Sequence, residues 1–213
     1  GLMATGIVDW GDGTVTTMEW VHTYATAGVY VVKMQGLVCS PNYPHTSISN
    51  AIIEVVKMPY AQLKVGNMFC NCPKLTKANL SNVTGSYYYL FVGAKLEEIN
   101  VTNATFIGGM SPFHSCSYLK TIIGLDTVNT SQVTSFDNCF RECALLETID
   151  CSSFDTSNAT LMNGMFWCQS RTSTTKQIIG VENFDTSKVT TMTSVFRGQA
   201  ELTSLDLSKW KTN

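Results

Sequence analysis

The sequence predicts an α+β repeat fold, a solenoid of about six repeats preceded by a small N-terminal all-β domain. Three observations carry this prediction. A phenylalanine recurs with fixed neighbours from residue 62 onward, apolar residues at helical spacing precede it, and an alternating segment typical of a short strand follows it. The 213 residues are 44% apolar and only 14% charged, which is the composition of a folded chain and not of a disordered one.

Each repeat is anchored by one phenylalanine. Three copies have Cys three residues later and Leu six residues later, and the copy at Phe196 has Gln199 in the cysteine position. Successive anchors are 22 to 30 residues apart, a period typical of leucine-rich-repeat-like solenoids. The anchors are Phe69, Phe91, Phe113, Phe140, Phe166 and Phe196.

Each repeat divides into a helical half and a strand half. Val133, Phe136 and Phe140 fall on one face of a helix, so we expect a helix of at most about three turns, with a turn or 3-10 piece where Gly108 and Pro112 interrupt the pattern. The segment 202–207 alternates Leu with polar residues, which predicts one short strand per repeat with one buried face.

The first 57 residues follow a different pattern. Ile7–Trp10 and Val29–Met34 predict strands on either side of an Asp-Gly turn, Ser49–Val56 is a third apolar run, and 40–45 predicts a loop. The strand pattern ends around Met58-Pro59. We therefore expect a β-sandwich or capping sheet over 1–57 and the solenoid over 58–213.

Two stretches resemble known families. Asp9-Trp10-Gly11-Asp12-Gly13-Thr14 with His22-Thr23-Tyr24 is similar to the PKD family of immunoglobulin-like β-sandwiches, here complete or truncated. Residues 62–213, with phrases such as Leu205-Asp206-Leu207-Ser208-Lys209-Trp210, resemble the BspA-like leucine-rich repeats of bacterial surface proteins. That resemblance implies a cell-surface or secreted protein that adheres to host or neighbouring cells, with no catalytic residues.

The eight cysteines predict core packing more than chemistry. Cys72, Cys116 and Cys143 share one repeat position with Ala94, so we expect buried thiols there. The pair Cys70-x-Cys72 has no second pair at zinc-site spacing, and two aspartates at the Asp-Gly turn are too few for calcium. We expect no metal, and a disulfide through Cys39 stays open. Cys151 and Cys168 have no assigned role.

No motif predicts an enzyme or a cofactor. The histidines are His22, His45 and His114, and no Gly-x-Ser-x-Gly turn, phosphate loop or dinucleotide motif accompanies them. Glu97 and Glu98 would point to opposite faces of a strand, so they cannot flank one glycosidic bond. A net charge of -2 gives no reason to expect nucleic acid, and no apolar run is long enough to span a membrane.

Polar residues between the buried leucines predict where a ligand binds. They are short hydrogen-bonding side chains that would suit a glycan or a polar protein surface, and three consecutive tyrosines at 87–89 add a possible contact site. The candidate ligand-binding residues are Asn79, Asn100, Asp150, Asp206, Gln177 and Tyr88.

The predicted function is therefore non-enzymatic adhesion or recognition. We expect an exported monomer at the cell surface or outside the cell, with its signal or anchor beyond these residues, that binds a host or bacterial surface protein or glycan. Two alternatives stay open. The chain could be a structural spacer within a larger surface protein, or an accessory module of a carbohydrate-active enzyme.

Overall fold

A computed structural model describes residues 7–17, 22–26, 28, 30–31, 33–35, 54–55, 64–66, 69–169 and 173–211. This part of the chain is almost entirely β. It contains thirteen short strands and two three-residue 3-10 turns, at Leu125–Thr127 and Val181–Asn183.

The N-terminal strands form a three-stranded antiparallel sheet. β1 (Ile7–Asp9) lies between β2 (Val15–Thr17) and β3 (Lys33–Gln35). This confirms the predicted strand at Ile7 and places the second one at 33–35. Trp10 is buried after β1, where its carbonyl accepts a hydrogen bond from the Tyr24 hydroxyl at 3.0 Å.

The repeats build two parallel sheets, because each of the first three complete repeats adds one strand to each sheet. The first sheet contains β4 (Glu54–Val55), β6 (Lys77–Asn79), β8 (Glu98–Asn100) and β10 (Thr121–Ile123). The second contains β5 (Lys64–Gly66), β7 (Thr84–Tyr88), β9 (Thr105–Gly109) and β11 (Asn129–Ser135), and β12 (Thr148–Asp150) forms a separate parallel pair with β13 (Gln177–Ile179). The strand order is β10-β8-β6-β4 in the first sheet and β11-β9-β7-β5 in the second.

Aromatic rings stacked along the repeats form the centre of the core. The anchor rings of Phe113, Phe140, Phe166 and Phe196 follow one another at centroid distances of 5.2, 5.5 and 5.5 Å. A second column runs through Phe154, Phe184 and Trp210. Offset stacking of this kind adds to the free energy gained by burying each ring. The predicted role of the phenylalanine anchors is confirmed, since Phe69, Phe91, Phe113, Phe140 and Phe166 are all buried.

The predicted α+β solenoid is wrong, because the described residues contain no α-helix and the segment expected to be helical is strand followed by turns. The backbone hydrogen bonds explain why the apolar spacing resembles that of a helix. The N–H groups of Phe136, Asn138, Phe140 and Glu142 donate to carbonyls of the following repeat, at Leu161, Asn163, Met165 and Trp167. Between them, the N–H groups of Cys139, Arg141 and Cys143 donate three residues back. Consecutive three-residue turns therefore place apolar side chains inward at intervals that imitate a helix.

Of the other local predictions, some are confirmed and some are wrong. The strand half of the repeat is confirmed at 77–79, 98–100, 121–123, 148–150 and 177–179, but segment 202–207 forms no strand. The turn expected where Gly108 and Pro112 interrupt the pattern is found at 112–115, whereas Gly108 and Gly109 lie in β9. The tyrosines expected in a helical half lie at the end of β7 and just after it.

The cysteines lie where the repeat pattern placed them. All seven described cysteines are buried, and the predicted packing of Cys72, Cys116 and Cys143 in the core is confirmed. Cys39, the loop at 40–45 and the proposed boundary at Met58-Pro59 lie outside the described residues. The division into 1–57 and 58–213 therefore stays a prediction.

Candidate functional site

The predicted Asn and Asp candidates share one local structure. In each, Oδ1 accepts a hydrogen bond from the backbone N–H two residues later, which closes an Asx turn at the end of a strand or of its equivalent segment. In Asp206 this bond from the Ser208 N–H holds the pKa of the carboxyl below its ordinary value. The pairs are Asn79 with Ser81, Asn100 with Thr102, Asp150 with Ser152 and Asp206 with Ser208, at 2.9 to 3.0 Å.

These candidates do not form one continuous polar row. Asn79 and Asn100 are register partners on neighbouring strands, but Asn100 pairs next with Ile123 and Asp150 pairs with Ile179. Ile123 is 43% exposed, so an apolar side chain interrupts the row. The structure therefore brings together Asn79 and Asn100 and leaves Asp150 in a separate sheet.

The two remaining candidates lie on different surfaces. Gln177 is exposed in β13 and is the register partner of Thr148. Tyr88 ends β7 in the second parallel sheet, where its hydroxyl lies against Gly109. Of its neighbours, Tyr87 is fully buried, as expected of at least one tyrosine, and Tyr89 is 38% exposed.

A cleft of about 690 Å³ separates β10 from β12 and contains one predicted candidate, Asp150. Repeat order would make these two strands neighbours, but the first sheet ends at β10 and β12 pairs only with β13. The cleft is lined by Lys120, Thr121, Ile122, Leu125, Asp126, Leu145, Glu147, Thr148 and Asp150.

A 3-10 turn accounts for the cleft. Gly124 has a left-handed backbone (φ 75°) and leads from β10 into Leu125–Thr127, whereas the equivalent segment after β12 is one residue shorter and has no such turn. The two repeats meet beyond the cleft, where the Ser153 hydroxyl donates to the Leu125 carbonyl at 3.1 Å. The two repeats thus meet at the added turn and not through strand pairing.

Both strands present backbone groups to the cleft. The Thr121 N–H and the Ile123 carbonyl bond to the preceding repeat, and residues in a parallel strand alternate in direction, so the Ile122 N–H and carbonyl point away from it. The Glu147 carbonyl bonds toward β13, so by the same alternation the Thr148 N–H and carbonyl point toward β10. Two unpaired strand edges therefore face one space.

The charges at the cleft mouth are mainly acidic. Lys120 is engaged by Glu97 at 2.9 Å, and Glu147 is engaged by Lys176 at 3.0 Å. Asp126 is exposed and Asp150 is half-buried, and neither takes part in an ion pair among the described residues. The cleft thus offers two carboxylates above an apolar floor formed by Ile122, Leu125 and Leu145.

Sequence reasoning identified Asp150 but not the cleft. The available signal was the gapless match between segments 122–134 and 178–190, which are one residue longer than the copy between them. The two longer segments each contain a left-handed glycine followed by a 3-10 turn, and the shorter copy contains neither.

The described part of the chain lacks two features. It holds no cluster of three or more His, Cys, Asp or Glu side chains able to hold a metal ion. Nor does it contain a helix with the length and apolar character needed to cross a bilayer.

Stacked repeats and parallel sheets, with an open cleft between β10 and β12, define a β-rich repeat protein. The family described as "Mycoplasma protein of unknown function, DUF285" matches residues 67–177 and 169–213. The chain belongs to this family. No curated protein and no solved structure matches it.

Proposed function

We propose that this chain is a non-enzymatic recognition protein that binds an extended polypeptide segment of a partner in the β10–β12 cleft. The observation that carries the proposal is the pair of unpaired strand edges at Ile122 and Thr148. An extended peptide adds to such an edge through its main chain, while pockets beside the edge select its side chains.

The lining of the cleft favours one kind of peptide. Asp126 and Asp150 would attract Lys or Arg side chains, and the apolar floor would accept an aliphatic or aromatic side chain between them. Since side chains alternate along an extended strand, the preferred segment alternates basic and apolar residues.

A location at the cell surface or outside the cell belongs to the same proposal and rests on the resemblance to bacterial surface repeats. Adhesion to host or neighbouring cells is the biological role that such binding would serve. A glycan in the same cleft is the competing ligand, because carboxylates and hydroxyls also bind sugars.

The test is binding of the full chain to arrays of ten-residue peptides and of neutral and acidic glycans. Peptides with alternating basic and apolar residues should bind, and N-methylation of alternate peptide amides should abolish binding, because it removes the donors that pair with a strand edge.

Matched variants locate the site. The Asp126→Asn/Asp150→Asn variant keeps the Asx acceptor of residue 150 but loses both charges, so peptide affinity should fall about three- to tenfold. Asp206→Asn makes the same change in the same kind of turn outside the cleft and should leave affinity unchanged.

Four outcomes would overturn the proposal. Equal losses in the two variants would exclude the cleft, and binding that survives N-methylation would exclude strand addition. Binding of glycans alone, lost in the Asp126→Asn/Asp150→Asn variant, would assign the cleft to saccharides. A blank on both arrays would instead favour a spacer.

A further inference from the structure

The residues that follow three successive anchor phenylalanines form a stack on the outside of the turns. Arg141, Trp167 and Arg197 come directly after Phe140, Phe166 and Phe196, whose rings are nearly parallel and 5.5 Å apart. The regular core column therefore places the three outer side chains in line. We call this set the Arg-Trp-Arg stack.

Both guanidinium groups contact the same indole. The Arg141 Cζ lies 3.6 Å from the Trp167 ring centroid, and the Arg197 Cζ lies 5.5 Å from it. Cation–π attraction fixes the plane of each guanidinium, and a stacked guanidinium still presents its N–H groups at its edge. The Asn138 side-chain oxygen accepts one of them, from Arg141 Nη1 at 3.3 Å.

The stack carries positive charge that the described residues leave unneutralised. No carboxylate of the described part lies within 4 Å of either guanidinium, whereas Lys77, Lys120, Lys176 and His22 all have acidic partners. Glu142, the residue after Arg141, directs its Oε1 to the Gln169 N–H at 2.9 Å and forms no ion pair with either guanidinium. Overall composition does not explain this concentration, since the chain has a net charge of -2.

The indole adds a further donor. Trp167 Nε1 is buried and has no acceptor among the described residues. An unpaired buried donor is unfavourable, and its dipole makes the local potential more positive.

The stack continues into an aromatic surface toward the preceding repeats. His114 occupies the position equivalent to Arg141, and its ring contacts that of Tyr89 edge-to-face at 4.9 Å. Tyr89 is 38% exposed and offers both a ring face and a hydroxyl. Cationic and aromatic groups thus lie along one line on the surface.

We propose that the Arg-Trp-Arg stack binds the sulfate or carboxylate groups of an acidic polysaccharide. Arginine forks match the oxygens of both anions in bidentate geometry, and the neighbouring aromatic surface suits sugar rings. The negative net charge gives no overall attraction to nucleic acid or to an anionic membrane, so recognition would be local to the stack. The site is independent of the β10–β12 cleft.

Binding of the full chain to heparin, hyaluronan and uncharged dextran tests this assignment. The sulfated and the carboxylated polymer separate the two anions, and dextran reports binding to the sugar alone. Heparin, hyaluronan or both should bind, with affinity that weakens as salt concentration rises, and dextran should not bind.

Charge-matched variants make the test specific. Arg141→Gln/Arg197→Gln should weaken binding about tenfold or more, while Lys188→Gln/Lys209→Gln removes the same charge at exposed lysines elsewhere and should change affinity less than about twofold. Arg141→Lys/Arg197→Lys should be intermediate, because it keeps the charge and loses the planar fork. Thermal unfolding of each variant verifies that it is folded.

Equal losses in the Arg→Gln and Lys→Gln variants would overturn the proposal, because binding would then depend on overall charge. Binding of dextran equal to that of the acidic polymers, or no binding of any polymer, would overturn it as well. Each of these results is compatible with peptide binding in the cleft, and the Asp126→Asn/Asp150→Asn variant should bind heparin at least as well as the unmodified chain.

Discussion

The Thr130 hydroxyl joins two successive repeats through the backbone of Asp155. Its Oγ1 donates to the Asp155 carbonyl at 3.0 Å and accepts the Asp155 N–H at 2.8 Å. A side chain here makes the two bonds that a neighbouring strand would otherwise make. Thr186 does the same with Lys211 at 3.1 and 2.7 Å, and Thr156 donates to the Asp185 carbonyl.

Replacing Thr130 with Val should therefore destabilise the protein by about 1–3 kcal/mol. The substitution conserves shape at a buried side chain, Thr130, but leaves the N–H and the carbonyl of Asp155 without their partner. Urea unfolding measures the change. Thr203→Val, at an exposed threonine, should alter the free energy of unfolding by less than about 0.5 kcal/mol. Equal effects of the two substitutions would mean that the Thr130 bonds do not stabilise the fold.

The sequence pattern was sufficient to predict which residues are buried. The anchors Phe113 and Phe140, with Cys and Leu at fixed positions after them, occupy the core because stacking repeats require an identical inward residue at each level. The strand half was also predictable, since Ile99 and Ile149 alternate with polar residues as a half-buried strand requires.

The helical half was not predictable from apolar spacing alone. A helix and a run of three-residue turns both place Phe136 and Phe140 on the same side, and only the direction of the amides differs. Left-handed residues break any helix here, and Asn138 (φ 57°) and Glu142 (φ 60°) adopt that conformation. Asn adopts the left-handed conformation more readily than most residues, but Glu does not, so the residue type at 142 gave no indication of a turn.

The candidate surfaces were predictable only in part. Asp150 was expected to face solvent from a strand and is half-buried at the end of β12, but the cleft beside it depends on whether β10 and β12 pair, which is a tertiary property. The Arg-Trp-Arg stack depends on the outward direction of the residues after the last three anchors, which only the tertiary structure shows.

Gly180 should tolerate alanine far less well than Gly108. Both have left-handed backbones, at φ 88° and 70°, so each substitution costs about 1–2 kcal/mol of backbone strain. A Cβ on Gly180 would also lie 2.6 Å from Ser152 Cα in the preceding repeat, whereas one on Gly108 would meet only the Ser86 hydroxyl at 3.6 Å. We expect Gly180→Ala to cost at least about 3 kcal/mol, as for other overpacked sites, measured by urea unfolding. Similar values for both variants would contradict the close approach of the repeats at Gly180.

Most of the described cysteines should be unreactive in the folded protein and reactive once it is unfolded without reductant. All are buried, and burial raises the pKa of Cys72 to about 12, so almost no thiolate exists at pH 8. Titration with a thiol reagent, with and without denaturant, measures both states. Fewer than about four thiols after unfolding would show that disulfides stabilise the fold.

Protonation of His114 should destabilise the protein in mild acid. Burial, assisted by the charge of Arg141, lowers the pKa of His114 to about 4 from its ordinary 6.5. Between these values the unfolded chain binds the proton and the folded chain does not, so this stabilisation is complete above pH 6.5 and is lost as the pH falls toward 4. Since the ring is half-exposed, we expect the free energy of unfolding to fall by about 1 kcal/mol.

Comparison with His114→Gln isolates this contribution. Aspartates whose pKa the Asx turns lower also lose stability in acid, but they do so equally in both proteins. The difference in unfolding free energy between pH 7 and pH 4.5 should therefore be larger for the unmodified chain than for His114→Gln. Arg141→Gln should reduce the loss only slightly, because the charge of Arg141 is the smaller cause of the shift. Identical pH dependence in the unmodified chain and His114→Gln would show that the ring at position 114 is accessible to protons in the fold, and the edge-to-face contact with Tyr89 would then not be maintained in solution.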